Sequence, residues 1–301
     1  MKQDPSYKTL NLITAAFWIL LVSIAAIFSS KVEHWQVVVL EMTVAGVVAL
    51  AGNRMHAQRG GWIGPASRAT SILLFYAIAF SAVAPLQHIL FDQWMDQILI
   101  FLDQYLLGME ASLLLEHWIH PVLTEWMMFS YVAYVPLLPL TAIVCYRLAG
   151  EKSLNSYLLN LSLAYILCYI GFILFPVATQ MHFIRELYST PLDGWAFSWF
   201  AEWMRTNLHP PGEALPSPHC AAATVMLVMF YRYGRVYFYW ILPIILTLYV
   251  STVYGRYHYS WDAVAGIVVA IAVLRTSPLI VNQVNKIFAD STNAMKPPIQ
   301  P

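Results

Sequence analysis

Two short segments in the last third of the chain place histidines beside residues that could assist them in catalysis. His258 and Asp262 are four residues apart, which puts them on one face of a helix. The aspartate could accept a hydrogen bond from one imidazole nitrogen and leave the other as a nucleophile or base. His219 lies at the N-terminal end of a separate predicted helix, where backbone N–H groups favour an anion. Two histidines, a carboxylate and a helix N-terminus together indicate phosphoryl transfer, in which one histidine attacks phosphorus and the other protonates the leaving oxygen.

The composition places this chemistry in a membrane. Of 301 residues, 59% are apolar and only 11% are charged, against about 25% charged in an average soluble domain. These values exclude a soluble globular domain, a disordered chain and a nucleic-acid-binding protein with a basic face. Sixteen Lys and Arg balance sixteen Asp and Glu, so net charge favours neither acidic nor basic partners. The three cysteines fit neither a disulfide framework nor a zinc site; they are Cys145, Cys168 and Cys220.

Eight apolar segments are candidates for crossing a bilayer, which takes about 20 residues per helix. They are residues 10–29, 35–52, 69–90, 121–147, 154–176, 219–233, 236–253 and 259–274. The sequence therefore predicts an all-α, polytopic transmembrane bundle. We expect a two-span extension in residues 1–68, a six-helix core in residues 69–290 and a disordered tail in residues 291–301.

The distribution of basic residues predicts the orientation of this bundle. One set of loops and termini holds twelve: Lys2, Lys8, Arg54, Arg59, Arg68, Arg147, Lys152, Arg232, Arg235, Arg275, Lys286 and Lys296. The other set holds four: Lys31, Arg185, Arg205 and Arg256. This bias predicts that both termini are cytoplasmic and that the histidines face the extracytoplasmic side, and it favours the plasma (inner) membrane.

Two segments on the predicted outer side are more than connectors. Residues 91–107 carry Asp and Gln on one helical face and apolar side chains on the other. They predict an amphipathic helix in the outer interface, with a re-entrant or bundle-packing helix as the alternative. Residues 177–217 are rich in aromatic residues and proline. Such a long loop is usually functional or disordered, and this one could shield a reactive intermediate from water.

The two histidine segments also resemble the motifs of a known family. P-S-P-H-C at residues 216–220 and S-T-V-Y-G-R-Y-H-Y-S-W-D at residues 251–262 resemble the second and third signatures of the type 2 phosphatidic acid phosphatase superfamily. The resemblance is closest to the branch that contains inositol phosphorylceramide synthases, which are inositolphosphotransferases. Weaker similarities lie at residues 103–108, 125–134 and 175–176. The resemblance covers about residues 95–275, and it implies a membrane phosphatase or phosphotransferase domain.

The family resemblance implies a role for each matching residue. His258 would be the nucleophile that forms a phosphohistidine, and Asp262 would orient it. His219 would be the general acid for the leaving alcohol, and Ser217 with nearby amides would hold the phosphate. The resemblance implies no metal and no other cofactor.

Two departures from the family pattern concern the charge of the phosphate. Thr252 replaces the arginine that the superfamily has beside Ser251, and the first signature, K-x6-R-P, is absent after residues 175–176. Arg256 and Arg185 are therefore candidate phosphate ligands, together with Thr252. The phosphotransferase branch shows similar losses, so the resemblance implies transfer rather than plain phosphatase activity.

The sequence thus predicts an integral membrane enzyme that acts on a phospholipid or lipid phosphate, with a polyol or lipid acceptor and no nucleic-acid partner. The alternative within this class is a broad phosphatidic acid-type phosphatase. A proton-coupled transporter would use His219, His258, Glu41 and Glu125, but it should show inverted repeats, and the sequence has no internal repeat. A non-catalytic lipid-binding protein is disfavoured by the intact set of His219, His258 and Asp262. His182 is expected to be a loop residue near the site, with contact to the substrate as the alternative.

Overall fold

The computed structural model of the chain describes residues 4–208 and 211–294. About 80% of it is helical, and the described residues contain no strand. The helices are α1 (Pro5–Ile27), α2 (Trp35–Gln58), α3 (Ile63–Val83), α4 (Asp96–Leu107), α5 (Ala111–Glu116), α6 (Pro121–Leu174), α7 (Gln180–Phe183), α8 (Ala196–Leu208), α9 (Pro218–Tyr233), α10 (Arg235–Tyr254) and α11 (Ser260–Ala294).

Six of the described helices are long and apolar enough to cross a membrane: α1, α2, α3, α6, α10 and α11. Their apolar side chains form one continuous core to which α9 also contributes. These helices confirm the predicted all-α, polytopic membrane bundle and indicate an integral membrane protein.

Helix α6 is a hairpin of two predicted spans. Its 54 residues would reach about 80 Å if straight, far more than the roughly 30 Å of a hydrocarbon core. Gly150 interrupts it with φ 75° and ψ −166°, a conformation that glycine adopts without steric cost. Beyond the break the chain runs back along itself, as two hydrogen bonds across the turn show. The Ser153 hydroxyl donates to the Cys145 carbonyl at 2.6 Å, and the Tyr157 hydroxyl donates to the Leu138 carbonyl at 2.9 Å. The break lies between the predicted spans 121–147 and 154–176.

Helix α9 is short but central. It has 16 residues and packs against α6, α10 and α11. The small side chains of residues 221–223, all alanine, are fully buried in its first turns, and small residues let helices approach closely. On α11, a Cβ added at Gly266 would lie only 2.3 Å from the Ser217 carbonyl oxygen. This close packing places the N-terminal end of α9 beside the first turns of α11.

Several helix ends differ from the predicted spans. Helix α3 begins at Ile63 rather than at residue 69, and α11 continues to Ala294, twenty residues past the predicted end of the eighth span. The first four residues of the tail predicted to be disordered are therefore helical, while residues 295–301 lie outside the described residues. The turns beyond each apolar stretch pack against the rest of the bundle, so these more polar residues also become helical.

One end of the bundle gathers the predicted cytoplasmic segments. The Asn155 amide, just after the turn of α6, donates to the Asp4 carboxylate at 3.0 Å. Arg68, which we predicted in a loop, is instead buried inside α3, and its guanidinium lies 3.7 Å above the ring of Tyr7. At the opposite end, Lys31 donates to the carbonyl oxygen of Ile89 at 3.1 Å. The loops predicted on one side of the membrane therefore meet at one end of the molecule.

Helix α4 packs on the bundle with its acidic residues inward. Asp96, Leu99 and Asp103 are buried, whereas Phe101 and Tyr105 are 64% and 77% exposed. The Ser260 hydroxyl donates to Asp103 at 2.5 Å. The buried carboxylates attach α4 to the first turn of α11, which makes it a bundle-packing helix with an apolar outer face.

Candidate active site

His258 lies in the short connection between α10 and α11. The N–H groups of Tyr257 and His258 both donate to the Thr252 carbonyl oxygen at 3.0 Å, and Arg256, the residue before them, takes a left-handed conformation with φ 66°. These bonds fold the connection back onto the last turn of α10. As a result the His258 side chain is held inside the bundle near one of its ends, and only 3% of the residue is exposed.

Asp262 supports one side of the His258 ring. It is fully buried in the first turn of α11, and its Oδ2 lies 3.4 Å from His258 Nδ1. The same oxygen accepts the Tyr259 N–H at 2.9 Å. The carboxylate therefore faces Nδ1, and Nε2 is directed away from it.

His219 meets the other side of the His258 ring. His219 Nδ1 lies 3.3 Å from His258 Nε2, and the two rings are edge to face with centroids 5.4 Å apart. Tyr131 stacks on His219 with centroids 5.0 Å apart. The Ser217 N–H donates to the Asp262 carbonyl at 2.9 Å, so the two sequence motifs are joined directly.

A small cavity opens beside the two histidines. Its volume is about 20 Å³, close to the space that one water molecule needs and smaller than a phosphate group. Its wall includes both histidines together with His182, Thr179 and Glu213. A phosphoryl group could occupy this position only if the surrounding side chains moved apart.

The paired histidines and the buried aspartate lie inside a region that matches a known family. A model of the PAP2 superfamily matches residues 97–276, more than half of the chain. The chain belongs to the PAP2 superfamily. This superfamily generally comprises phosphatases, and the match does not distinguish its branches. No curated protein and no solved structure matches the chain significantly.

The PAP2 superfamily region begins in α4 and ends in α11. It leaves out α1, α2 and α3, so the third predicted span lies outside the match, although we assigned it to the core. The limits agree with the predicted extent of the resemblance, residues 95–275. The domain boundaries at residues 68 and 290 stay predictions.

Ser217 and Thr252, two of the predicted phosphate ligands, lie near the histidines of this PAP2 superfamily site but are fully buried. The Ser217 hydroxyl accepts the Cys220 N–H at 3.3 Å as the N-cap of α9. The Thr252 hydroxyl donates to the Tyr249 carbonyl of its own helix at 2.8 Å. Neither residue lines the small cavity.

The structure places the two arginines in a neighbouring cavity rather than against the histidines. Arg256 Nη2 donates to the Thr190 carbonyl at 2.6 Å and lies 3.8 Å from Glu116 Oε1. The Arg256 guanidinium also lies 3.8 Å above the ring of Tyr188. Arg185 is exposed. Both arginines line a second cavity of about 500 Å³, which shares Met181 with the small one.

Glu116 is held as an anion beside Arg256. Burial by itself would raise the pKa of this carboxyl, but hydrogen bonds from Thr190 and Ser189 bring the pKa below its ordinary value. A carboxylate that accepts several N–H bonds is stabilised in its charged form. Arg256, which lines the second cavity, therefore has a negatively charged partner at Glu116.

Thr179 and Glu213 are among the residues of the small cavity that sequence reasoning missed. Both are buried, and both have positive φ, 82° and 59°. Burial raises the pKa of Glu213 to about 8. One signal was available: Glu213 is a carboxylate four residues before Ser217, in a loop of glycine, proline and apolar residues.

Glu125 and Glu41, which we considered as parts of a proton path, lie elsewhere. Glu125 accepts the N–H groups of Trp195 and Phe197 at 2.8 and 2.6 Å and so caps the N-terminal end of α8. The Ser81 hydroxyl donates to Glu41 at 3.4 Å in an exposed groove. Neither glutamate lines the cavity of the histidines.

The described residues contain no group of three or more His, Cys, Asp and Glu side chains that could hold a metal ion. The side chains that this arrangement offers for chemistry are the two imidazoles and the carboxylate of Asp262.

Proposed function

We propose that this PAP2 superfamily protein is a metal-independent membrane phosphotransferase or phosphatase that acts on a phospholipid or lipid phosphate through a phosphohistidine. The observation that carries the proposal is the row of three side chains in which Asp262 lies against Nδ1 of His258 and His219 lies against its Nε2. This is the arrangement of a nucleophile, its orienting carboxylate and a second proton carrier.

The first half-reaction transfers the phosphoryl group to the enzyme. With Nδ1–H directed at Asp262, Nε2 of His258 carries a lone pair and attacks phosphorus, so that a P–N bond forms as the P–O bond to the lipid alcohol breaks. Protonated His219 gives its proton to the departing oxygen. Asp262 stabilises the positive charge that develops on the His258 ring.

The second half-reaction returns His258 to its starting state. A hydroxyl of the acceptor gives its proton to His219 and attacks phosphorus, and the P–N bond breaks. A polyol or lipid alcohol as the acceptor gives transfer, and water gives hydrolysis. Both reactions use the same side chains and differ only in whether the site admits an alcohol or water as the acceptor.

Substrate binding must separate the two histidines. An attacking atom lies about 3–3.5 Å from its target in a reactive complex, yet the two ring nitrogens are already 3.3 Å apart and the adjoining cavity measures about 20 Å³. We propose that the phosphoryl group enters between His219 and His258 as the loop that contains His182 moves outward. Closure behind the substrate would exclude water from the intermediate.

The distribution of charge favours a phosphodiester over a phosphate monoester. No Lys or Arg is among the described residues that line the small cavity, and a dianionic monoester needs more positive charge than a monoanionic diester. The larger cavity, with Arg185 and Arg256, would hold a polar headgroup or a polyol acceptor. This supports the predicted likeness to the inositol phosphorylceramide synthase branch and favours transfer over phosphatidic acid hydrolysis.

We further propose that the protein lies in the plasma (inner) membrane with both termini cytoplasmic and this site on the extracytoplasmic face. The support is the twelve-to-four distribution of basic residues and the separation of the two kinds of loop at opposite ends of the bundle.

The test is turnover by purified protein on two kinds of lipid. Phosphatidic acid and a set of phosphodiester lipids are supplied with and without labelled inositol, and both free phosphate and headgroup-exchanged lipid are measured. We expect exchange on phosphodiester lipids, lost in His258→Ala and kept in His34→Ala, an exposed histidine on the turn before α2. Fast release of phosphate from phosphatidic acid without exchange would instead assign plain phosphatase activity, and no turnover on either lipid would refute the proposal.

A further inference from the structure

Glu213 lines the cavity of the two histidines and carries a buried carboxyl oxygen that lacks a hydrogen-bond partner among the described residues. The residue is only 6% exposed, and it lines the small cavity together with His219 and His258. Its Oε1 has no hydrogen-bond partner among the described residues. A buried polar atom without a partner is costly, so its retention here points to a ligand.

The backbone around Glu213 is fixed by the rest of the fold. The Glu213 N–H donates to Gln87 Oε1 at 2.7 Å, and the Gly212 N–H donates to the Ala178 carbonyl at 3.2 Å. A Cβ added at Gly212 would lie 2.3 Å from Gln87 Nε2. Glu213 itself has φ 59°, a conformation that costs non-glycine residues energy and persists where the surroundings enforce it. The backbone that carries the carboxyl is therefore held in place by contacts with distant parts of the chain.

Thr179 repeats this arrangement on the same cavity wall. Its φ is 82°, which is a true outlier for a β-branched residue. Its side chain is 7% exposed, and Oγ1 has no hydrogen-bond partner within the described part of the chain. Two strained, buried residues that line one cavity thus each carry a polar atom without a hydrogen-bond partner among the described residues.

We propose that the Glu213 carboxylic acid and the Thr179 hydroxyl donate hydrogen bonds to the non-bridging oxygens of the phosphoryl group. They take the place of the cations that the superfamily pattern would supply at Thr252 and in the missing first signature. Two neutral donors stabilise a monoanionic phosphodiester without the positive charge that a dianionic monoester requires. This inference rests on the proposed function and assigns its phosphoryl-binding groups.

The protonation state agrees with donation. Burial raises the pKa of Glu213 to about 8, so the carboxyl is mostly neutral at pH 7. The titratable groups on the cavity wall around it are His182, His219, His258, Tyr131 and Tyr257, and Tyr169 lies near enough to feel its charge. The donor is present below about pH 8 and is lost as pH rises through that value, because the carboxylate can then only accept.

The first experiment compares matched variants of the full-length protein. Glu213→Gln keeps a neutral donor, and we expect its kcat/KM on phosphodiester lipids to stay within a few-fold of wild type. Glu213→Ala should reduce kcat/KM about 100-fold and Thr179→Ala about 10-fold, in line with one to two hydrogen bonds to a charged group. Thr179→Ser, which keeps the hydroxyl, should restore kcat/KM. Glu186→Ala, an exposed glutamate outside the small cavity, is the control. The fall in wild-type activity near pH 8 should disappear in Glu213→Gln.

The second experiment uses orthovanadate, whose five-coordinate form resembles the reacting phosphorus, and reads its binding from the shift in melting temperature. Wild type and Glu213→Gln should be stabilised, and Glu213→Ala and Thr179→Ala should need at least 10-fold more vanadate for the same shift. Unchanged vanadate binding and turnover in both alanine variants would overturn this inference and leave the proposed function standing. Absence of turnover in wild type would refute the proposed function, and vanadate binding would then decide the inference alone. A wild type that does not bind vanadate would refute the inference.

Discussion

Tyr259 donates its hydroxyl to Asp96 at 2.9 Å and so ties helix α4 to the residue that follows His258. Both side chains are fully buried. The other oxygen of Asp96 accepts the Ala178 N–H at 2.8 Å. One carboxyl thus connects α4, the loop that carries Thr179 and the segment that carries the nucleophile.

Tyr259→Phe should destabilise the protein without removing any proposed catalytic group. The change leaves one oxygen of Asp96 buried without its partner, which costs about 1–3 kcal/mol. Thermal unfolding in detergent measures the loss, and Tyr105→Phe, whose side chain is 77% exposed, should melt like wild type. Equal melting of both variants would show that the Tyr259–Asp96 bond contributes nothing.

His258→Ala should abolish turnover, because it removes the proposed nucleophile. The melting temperature should stay nearly unchanged. Asp262→Asn should keep the fold but reduce kcat by about 10²–10⁴-fold, since an amide holds the imidazole in the wrong tautomer. The decisive measurement is capture of labelled phosphate on the protein, followed by mapping of the labelled residue by mass spectrometry. A label on any residue except His258 contradicts the assignment.

His219→Ala should slow the departure of the leaving alcohol rather than the attack on phosphorus. Its defect should therefore shrink strongly with a nitrophenyl phosphodiester, whose leaving group needs no proton. The measurement is the ratio of wild-type to variant kcat/KM on lipid and on nitrophenyl substrates. An equal defect on both substrates would leave His219 with a positioning role through its contact with His258.

Glu125→Ala should loosen α8 and leave the chemistry of the histidines intact. The carboxylate caps the first N–H groups of that helix, and loss of such a cap costs about 0.5–2 kcal/mol. Hydrogen exchange should become faster in residues 196–208, whereas Glu41→Ala should leave those amides unchanged. If Glu125→Ala instead abolished a proton flux in reconstituted vesicles, the transporter hypothesis would regain support.

The topology can be tested with single cysteines at exposed positions. Ser189 and Gly60 are exposed and lie at opposite ends of the bundle, and the three native cysteines are buried. Ser189→Cys should react with an impermeant thiol reagent added outside intact cells, and Gly60→Cys should react only after lysis. The reverse pattern would place the site on the cytoplasmic face.

The local features of the protein were predictable from the sequence because they depend on composition and short spacing. Apolar runs predict the helices, and the interval between the predicted spans 121–147 and 154–176 predicts the turn inside α6. The spacing of His258 and Asp262 brings a carboxylate to the imidazole by helical geometry alone. The pairing with His219 followed from the family motifs, and the match over residues 97–276 confirms the superfamily.

Packing between distant segments decided the rest. Arg256 is two residues from His258, yet its left-handed backbone turns it to Glu116 and Thr190. Glu125 and Phe197 are far apart in the chain, and only the fold lets Glu125 cap the helix that contains Phe197. Glu213 and Thr179 share a cavity because Gln87 and Asp96 hold their loops in place. Spacing along a helix is local, whereas the burial and direction of a loop side chain depend on contacts that form only when the whole bundle has folded.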